Sequence, residues 1–261
     1  MKLVFITGAS SGIGQALATA YLQTGWRVAV VARRVDALHT WALETTQQLG
    51  LNADHICVLA ADVQNPDSIV AAAEQCMAQI GLPDVVIANA GISLGVDTAE
   101  REDLTVMRQV MDTNVLGVAA TFHPFIRPMQ QRGSGTLVGI ASVAGIRGLP
   151  GHAAYCASKA AVISYCESLR GELRSSGLRV STIAPGYVAT PLTARNRYPM
   201  PFLMRPEDFA RQALRSIGKG TSYQVIPWQM GIVAKLLRAL PNAVFDRVLK
   251  GRPRKHRHSD T

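Results

Sequence analysis

Paired cysteines are missing from this chain of 261 residues: Cys57, Cys76, Cys156 and Cys166 are scattered, and no two form a CxxC pair. That excludes a disulfide scaffold and points to a reduced, intracellular protein. Long apolar runs are missing too, since nothing approaches the roughly 18 to 20 uninterrupted residues that cross a bilayer. Nor is there a signal-peptide h-region or cleavage site, because an apolar strand begins at Leu3 and glycine is reached by Gly8. A cytoplasmic protein is expected. Internal repeats and low-complexity linkers are also absent, and charged residues make up only 17% against 48% hydrophobic. Such a chain can bury a full core without disulfides or metals.

Acidic residues are scarce: 18 Asp and Glu stand against 27 Lys and Arg, for a net charge of +9. Clustered cations would bind nucleic-acid phosphates non-specifically. Here the cluster sits at the C-terminus, where Lys250, Arg252, Arg254, Lys255 and Arg257 precede Ser259-Asp260-Thr261. It reads as a solvated tail or as a patch for anionic lipid, with no nucleic-acid partner.

What the chain does have is alternation. Short apolar runs at 3–6, 27–31, 55–59, 85–88, 136–141, 179–183 and 223–226 alternate with helical patterns at 13–23, 37–49, 66–80, 104–132 with a break, 153–175 and 206–216. This is how a doubly wound α/β fold with a seven-stranded parallel sheet reads in sequence. Asn65-Pro66 marks a helix start, and Gly25, Gly50, Gly81 and Gly177 mark stops. Beyond Pro227 the pattern becomes Ile232, Val233, Leu236, Leu237 and Leu240 with Lys235 and Arg238 between them, an amphipathic helix. Phe245, Val248 and Leu249 suggest one further short turn. The expected division is a catalytic domain over 1–228 and a helical extension with a basic tail over 229–261. The extension is expected to pack on the domain or at a subunit interface, or to lie in a membrane interface.

Thr7-Gly8-Ala9-Ser10-Ser11-Gly12-Ile13-Gly14 follows the first strand and opens the first helix. Glycines permit a tight turn and close backbone approach, and the positive end of the helix attracts pyrophosphate. At the end of the second strand, an acidic residue would accept from an adenosine 2′-hydroxyl and repel a 2′-phosphate. This chain has Ala32-Arg33-Arg34 there instead. Two guanidinium groups suit a phosphate, so NADP(H) is expected ahead of NAD(H). Asp62-Val63 follows the third strand, where the carboxylate can accept from an adenine amino group. Asn89-Ala90-Gly91 follows the fourth, where the amide can tie the glycine turn to its neighbour.

Tyr155 and Lys159 stand four apart in Tyr155-Cys156-Ala157-Ser158-Lys159. On a helix they share a face, so the ammonium is expected to favour the ionised phenol and lower its pKa. Ser142 ends an apolar run, where a strand would deliver a hydroxyl to the rim of the sheet.

Taken in order, TGxxxGxG at Thr7 to Gly14, NAG at Asn89 to Gly91, Asn114, Ser142, YxxxK at Tyr155 to Lys159, and Pro185-Gly186 with Thr190 resemble the short-chain dehydrogenase/reductase family. The resemblance runs from Lys2 to about Ile226 and implies a Rossmann-type sheet with helices on both faces. It further implies an oxidoreductase moving hydride between a nicotinamide and a carbonyl or secondary alcohol. By that resemblance Tyr155 gives its proton to the carbonyl oxygen and Ser142 holds the same oxygen. Lys159 binds the nicotinamide ribose, and Asn114 helps hold a water that reprotonates Lys159. Val188 offers backbone groups to the carboxamide and Thr190 a hydroxyl to carboxamide or phosphate. None of these roles needs a metal.

Residues 191–205 would form a substrate lid. Tyr187, Leu192, Tyr198, Met200, Phe202, Leu203 and Met204 give an apolar wall suited to a hydrophobic carbonyl substrate. Arg195 and Arg197 would greet an acidic group or stand in solvent, and His152 would line the pocket or touch substrate. The competing functions are a regulator that binds NADP without turnover and a lipid ketoreductase at a membrane surface. The resemblance also implies a homodimer or homotetramer.

Overall fold

A computed structural model describes residues 1–194, 196, 198–251 and 257. The lid arginines Arg195 and Arg197 lie outside the described residues, as do the tail residues Arg252, Arg254, Lys255, Ser259, Asp260 and Thr261.

Seven parallel strands form one sheet in the order β3-β2-β1-β4-β5-β6-β7: Leu3–Thr7 (β1), Arg27–Ala32 (β2), Ile56–Ala60 (β3), Val85–Ala88 (β4), Gly135–Ile140 (β5), Leu178–Pro185 (β6) and Tyr223–Ile226 (β7). The strands are apolar almost throughout because both faces are covered, as parallel sheets with crossover helices require. Side chains alternate across the sheet. Leu3 and Phe5 of β1 therefore join one core, with Phe122, Phe125 and Val162, while Val4 and Ile6 join the other, with Leu17, Leu38 and Phe209.

The helices are Gly12–Gln23 (α1), Val35–Leu49 (α2), Pro66–Gln79 (α3), Asp103–Met111 (α4), Gly117–Arg132 (α5), Ala153–Glu172 (α6), Pro206–Gly218 (α7), Trp228–Ala239 (α8) and Asn242–Leu249 (α9). Local signals explain several ends. Asn65 Oδ1 accepts from the backbone N–H groups of Asp67 and Ser68 at the start of α3, satisfying donors that a helix start leaves orphaned. The expected break within 104–132 is a π-helical turn at Asp112–Leu116. Pro124 and Pro128 are accommodated inside α5.

Strand order reverses between β1 and β4, which puts the crevice of a doubly wound sheet at the carboxyl ends of those strands. The short turn expected around Phe245 is a two-turn helix, α9, with Phe245 buried. One cation of the expected solvated tail is paired and only partly exposed. Arg257 pairs with Asp103 at 2.9 Å and Glu102 at 3.1 Å, beside the bridge it makes to Gly95. Among the described residues, no helix is long and apolar enough to cross a membrane.

Candidate active site

The glycine turn between β1 and α1 is built by close approach. Gly8 and Gly12 have φ of 66° and 59°, a region that favours glycine. A Cβ on Gly14 would stand 2.4 Å from the Gly8 carbonyl oxygen, and one on Gly8 would stand 2.6 Å from Ala90 Cα. Asn89 then stitches the turn to the end of β4, its Nδ2 donating to the carbonyls of Thr7 at 3.0 Å and Gly8 at 3.1 Å. Thr7 Oγ1 accepts in return from the N–H groups of Asn89 and Ala90. Ser11 precedes α1 without a side-chain cap, and no acidic residue stands in the first turn. The helix start therefore keeps its N–H groups for an anion.

A cleft of about 360 Å³ opens over this turn. It gathers every residue expected to hold the dinucleotide except Gly14, which lies behind the turn and permits it. Arg33 and Arg34 border the cleft after β2, with Arg34 at the N-cap position of α2. The Arg33 guanidinium lies 3.8 Å from the Asp62 carboxylate, with both side chains in part exposed. Asp62 also accepts from Gln64 N–H. At the other end, Val188 pairs with Met204. Its carbonyl accepts from the Thr193 hydroxyl at 2.6 Å, so one of the backbone groups expected to face a carboxamide is already engaged. Thr190 stands beside Gly12, across the mouth of the turn.

A second cavity of about 620 Å³ adjoins the cleft. The two share Ser142, Tyr155, Gly186, Leu192 and Thr193. Ser142 is buried where β5 ends, its Oγ accepting from Ala144 N–H at 3.2 Å. Its hydroxyl stands close enough to the Tyr155 phenol to favour the ionised form. Lys159, one turn along α6, donates from Nζ to the Ile140 carbonyl at 2.9 Å and lies 5.8 Å from the Tyr155 ring centre.

The expected depression of the phenol by this lysine is not what the protein groups produce. Burial pushes Tyr155 up to about 12, and only the Ser142 hydroxyl pulls the other way. Burial also lowers Lys159 to about 8. Desolvation disfavours the charged form of each group, and it is the leading cause of both shifts.

Asn114 sits in the π-helical turn, fully buried. Its Nδ2 donates to the Ile92 carbonyl and to Ser158 Oγ, both at 2.9 Å, and its Oδ1 accepts from Ile92 N–H at 2.8 Å. Ser158 passes the link on by donating to the Tyr155 carbonyl at 2.8 Å. The extra backbone residue of a π turn re-aims a side chain, and here it points Asn114 beneath Gly91 and Lys159. Nothing in the sequence singles out Ser158, although it stands inside the YxxxK stretch.

The 620 Å³ cavity is mostly apolar and corrects the expected lid. Leu192 and Tyr198 line it together with Tyr187. Phe202 and Leu203 instead face solvent, and Met204 packs on the core beside Val188. His152 lines the wall, its Nε2 3.2 Å from the Tyr198 hydroxyl and its Nδ1 3.2 Å from the Pro150 carbonyl. The far wall comes from α8 and α9, through Met230, Val233, Ala234, Leu237, Val248 and Leu249. Its signal in the sequence is the i, i+3, i+4, i+7 spacing of 230, 233, 234 and 237. Among the described residues, no group of three His, Cys, Asp or Glu side chains could hold a metal.

A glycine turn at the crevice of a doubly wound parallel sheet, with a phenol and a hydroxyl at the meeting of two cavities, defines a dinucleotide-dependent oxidoreductase. The short chain dehydrogenase family model matches residues 2–200. An uncharacterized oxidoreductase of Myxococcus xanthus is 39% identical over 94% of this chain and 95% of its own length. A short-chain type dehydrogenase/reductase from Mycobacterium marinum superposes with a TM-score of 0.78 at 32% identity, covering 86% of this chain and 93% of that one. Actinorhodin polyketide ketoreductase, solved with NADPH, superposes with a TM-score of 0.77 at 28% identity, covering 86% of this chain and 95% of that one. The chain belongs to the short-chain dehydrogenase/reductase family. It is an oxidoreductase acting between CH–OH and C=O with a nicotinamide cofactor.

Proposed function

We propose that this protein is an NADPH-dependent carbonyl reductase, working reversibly on a hydrophobic ketone, aldehyde or secondary alcohol. The observation that carries the reading is the junction of the two cavities at Ser142 and Tyr155. One cavity has the features of a dinucleotide site and the other is apolar, so a carbonyl reaching the junction meets both hydroxyl groups. When bound, the reduced nicotinamide supplies hydride to the carbonyl carbon. Tyr155 donates its proton to the carbonyl oxygen, and a phenol pushed up to about 12 is protonated throughout the neutral range. Ser142 donates to the same oxygen as negative charge grows there. Lys159 holds the ribose hydroxyls and resupplies the proton. Asn114 anchors Ile92 and Ser158 beneath it and positions the water through which Lys159 is recharged.

Preference for NADPH is supported by Arg33 and Arg34 at the cleft border. It is further supported by the cofactor of the polyketide ketoreductase. The Arg33–Asp62 pair is long and partly exposed, and such pairs hold weakly. A 2′-phosphate can therefore take the guanidinium. Residues 1–228 form the catalytic unit in this reading, and 229–261 form the extension, of which α8 and α9 shape the substrate side.

NADPH oxidation over a panel of apolar ketones tests the proposal. Tyr155→Phe should lower kcat by about 10² to 10⁴ while NADPH binding holds. Equal turnover in both proteins would remove the role of Tyr155. A wild type that binds NADPH and reduces nothing would favour the regulator. Arg33→Asp should cut the NADPH-over-NADH ratio of kcat/KM by about tenfold or more, the scale set by a lost charged partner. An unchanged ratio would remove the phosphate role.

A second reading rests on the outer face of α8. Trp228, Ile232 and Leu236 are 63%, 50% and 63% exposed at i, i+4 spacing, beside Lys235 and Arg238. An apolar stripe flanked by cations suits an anionic membrane surface. A lipidic carbonyl would then reach the cavity through the helix that touches the bilayer.

A further inference from the structure

Arg147 lies five residues past Ser142, in the segment that leaves the site. Its Nη1 donates to the carbonyls of Leu237, Arg238 and Leu240, the last two at 2.9 and 2.8 Å. Its Nη2 donates to Asn242 Oδ1 at 3.0 Å, and its guanidinium carbon lies 3.8 Å from the centre of the Phe245 ring. Two hydrogens on Nη1 serve three carbonyls, so at least one bond is three-centred.

These contacts explain how α8 ends. The helix has no glycine after its last turn. It runs into Leu240 in extended conformation and then Pro241. Its final carbonyls would be orphaned. A guanidinium from the catalytic side of the molecule satisfies them and sits where the helix dipole is negative. The same group faces the ring of Phe245, the one buried residue of α9. Both helices that wall the apolar cavity are thus fastened at one point, some 90 residues away in sequence, to the segment carrying Ser142.

We propose that Arg147 is a positioning residue that clamps the C-terminal helices onto the apolar cavity and thereby holds the wall against which a bulky substrate packs. The claim rests on the oxidoreductase reading for its substrate and on hydrogen-bond geometry for the clamp. Arg147 borders the cavity itself, whereas Phe245 does not, and Arg147 touches neither reacting atoms nor cofactor in this scheme.

Hydrogen exchange tests the clamp without turnover. Arg147→Ala should lose amide protection across 237–249 while the sheet and α1 keep theirs. Kinetics with two probe ketones, cyclohexanone and trans-1-decalone, test the consequence. For trans-1-decalone KM should rise about tenfold, with kcat and the KM for cyclohexanone held within about twofold. Phe245→Ala should reproduce this pattern, and the double variant should add little, as expected for partners in one interaction. Arg147→Lys keeps a cation for the carbonyls but not the planar contact, and should recover part of the protection. Unchanged protection, or equal KM changes for both ketones, would overturn the proposal. A wild type that reduces neither ketone would count against the oxidoreductase reading, while the exchange data would still decide the clamp.

Discussion

Burial costs Lys159 its ordinary basicity: with the residue 4% exposed, the ammonium is lowered to about 8. An unfolded lysine keeps its proton to about 10.4. Below about pH 8 both states are protonated, and the folded state carries the full cost of the buried cation. From there up to the unfolded pKa the unfolded chain binds the extra proton, so stability rises with pH. Tyr155 works the opposite way at higher pH, because its folded pKa of about 12 exceeds the unfolded value near 10. Lys159→Met should therefore stabilise the protein at pH 7. The cost removed is on the order of 3 kcal/mol, less about 1 kcal/mol for the lost bond to Ile140. The gain should shrink by about pH 10, a window set by the two lysine values. Urea denaturation at the two pH values measures it. Equal destabilisation at both would show that the cation is not the source.

At this scale, residues fixed by local geometry are legible in the sequence and residues fixed by distant contact are not. Gly8 and Gly14 announce a tight turn because no other side chain fits there. Arg147 announces nothing, since its partners lie in another part of the chain. The acidity of the phenol escapes the sequence for the same reason. Spacing shows that a cation is near Tyr155, but it does not show how much protein surrounds both groups.

Among the elements, the strands are readable because each is a short, mostly apolar run bounded by turn signals. The π-helical turn is visible only as an interruption, because its shape answers to the contact between Asn114 and Ile92. Helix α8 is readable as amphipathic, yet its apolar residues divide between two faces. Val233 and Leu237 line the cavity, whereas Ile232 and Leu236 face out. Periodicity alone does not say which face meets protein. The outer face yields a prediction. The full chain should float with phosphatidylglycerol vesicles at low salt and not with phosphatidylcholine vesicles. Ile232→Glu and Leu236→Glu should abolish flotation without changing NADPH binding. No flotation with either lipid would end the membrane reading.

Across the whole molecule, the sheet separates two tasks. The half built on β1 to β3 carries the glycine turn and the arginine pair, while the half built on β5 to β7, with its helices, carries Ser142, Tyr155 and the apolar cavity. Net charge is legible from composition, but its placement is not. Arg257 is drawn back onto Asp103, beside the segment after β4.

Past β7 the chain contributes no further strand among the described residues, and the inner contacts of α8 and its C-terminal end converge on Gly186, Val225 and Arg147. Position 228 is thus a natural crossover point for recombination. A chimera that takes everything after it from a relative with a different appetite, while keeping Arg147, should inherit the donor's substrate range and the recipient's coenzyme choice. Steady-state profiling of both traits would reveal whether they travel separately; if coenzyme choice moved with the graft, the seam would be misplaced.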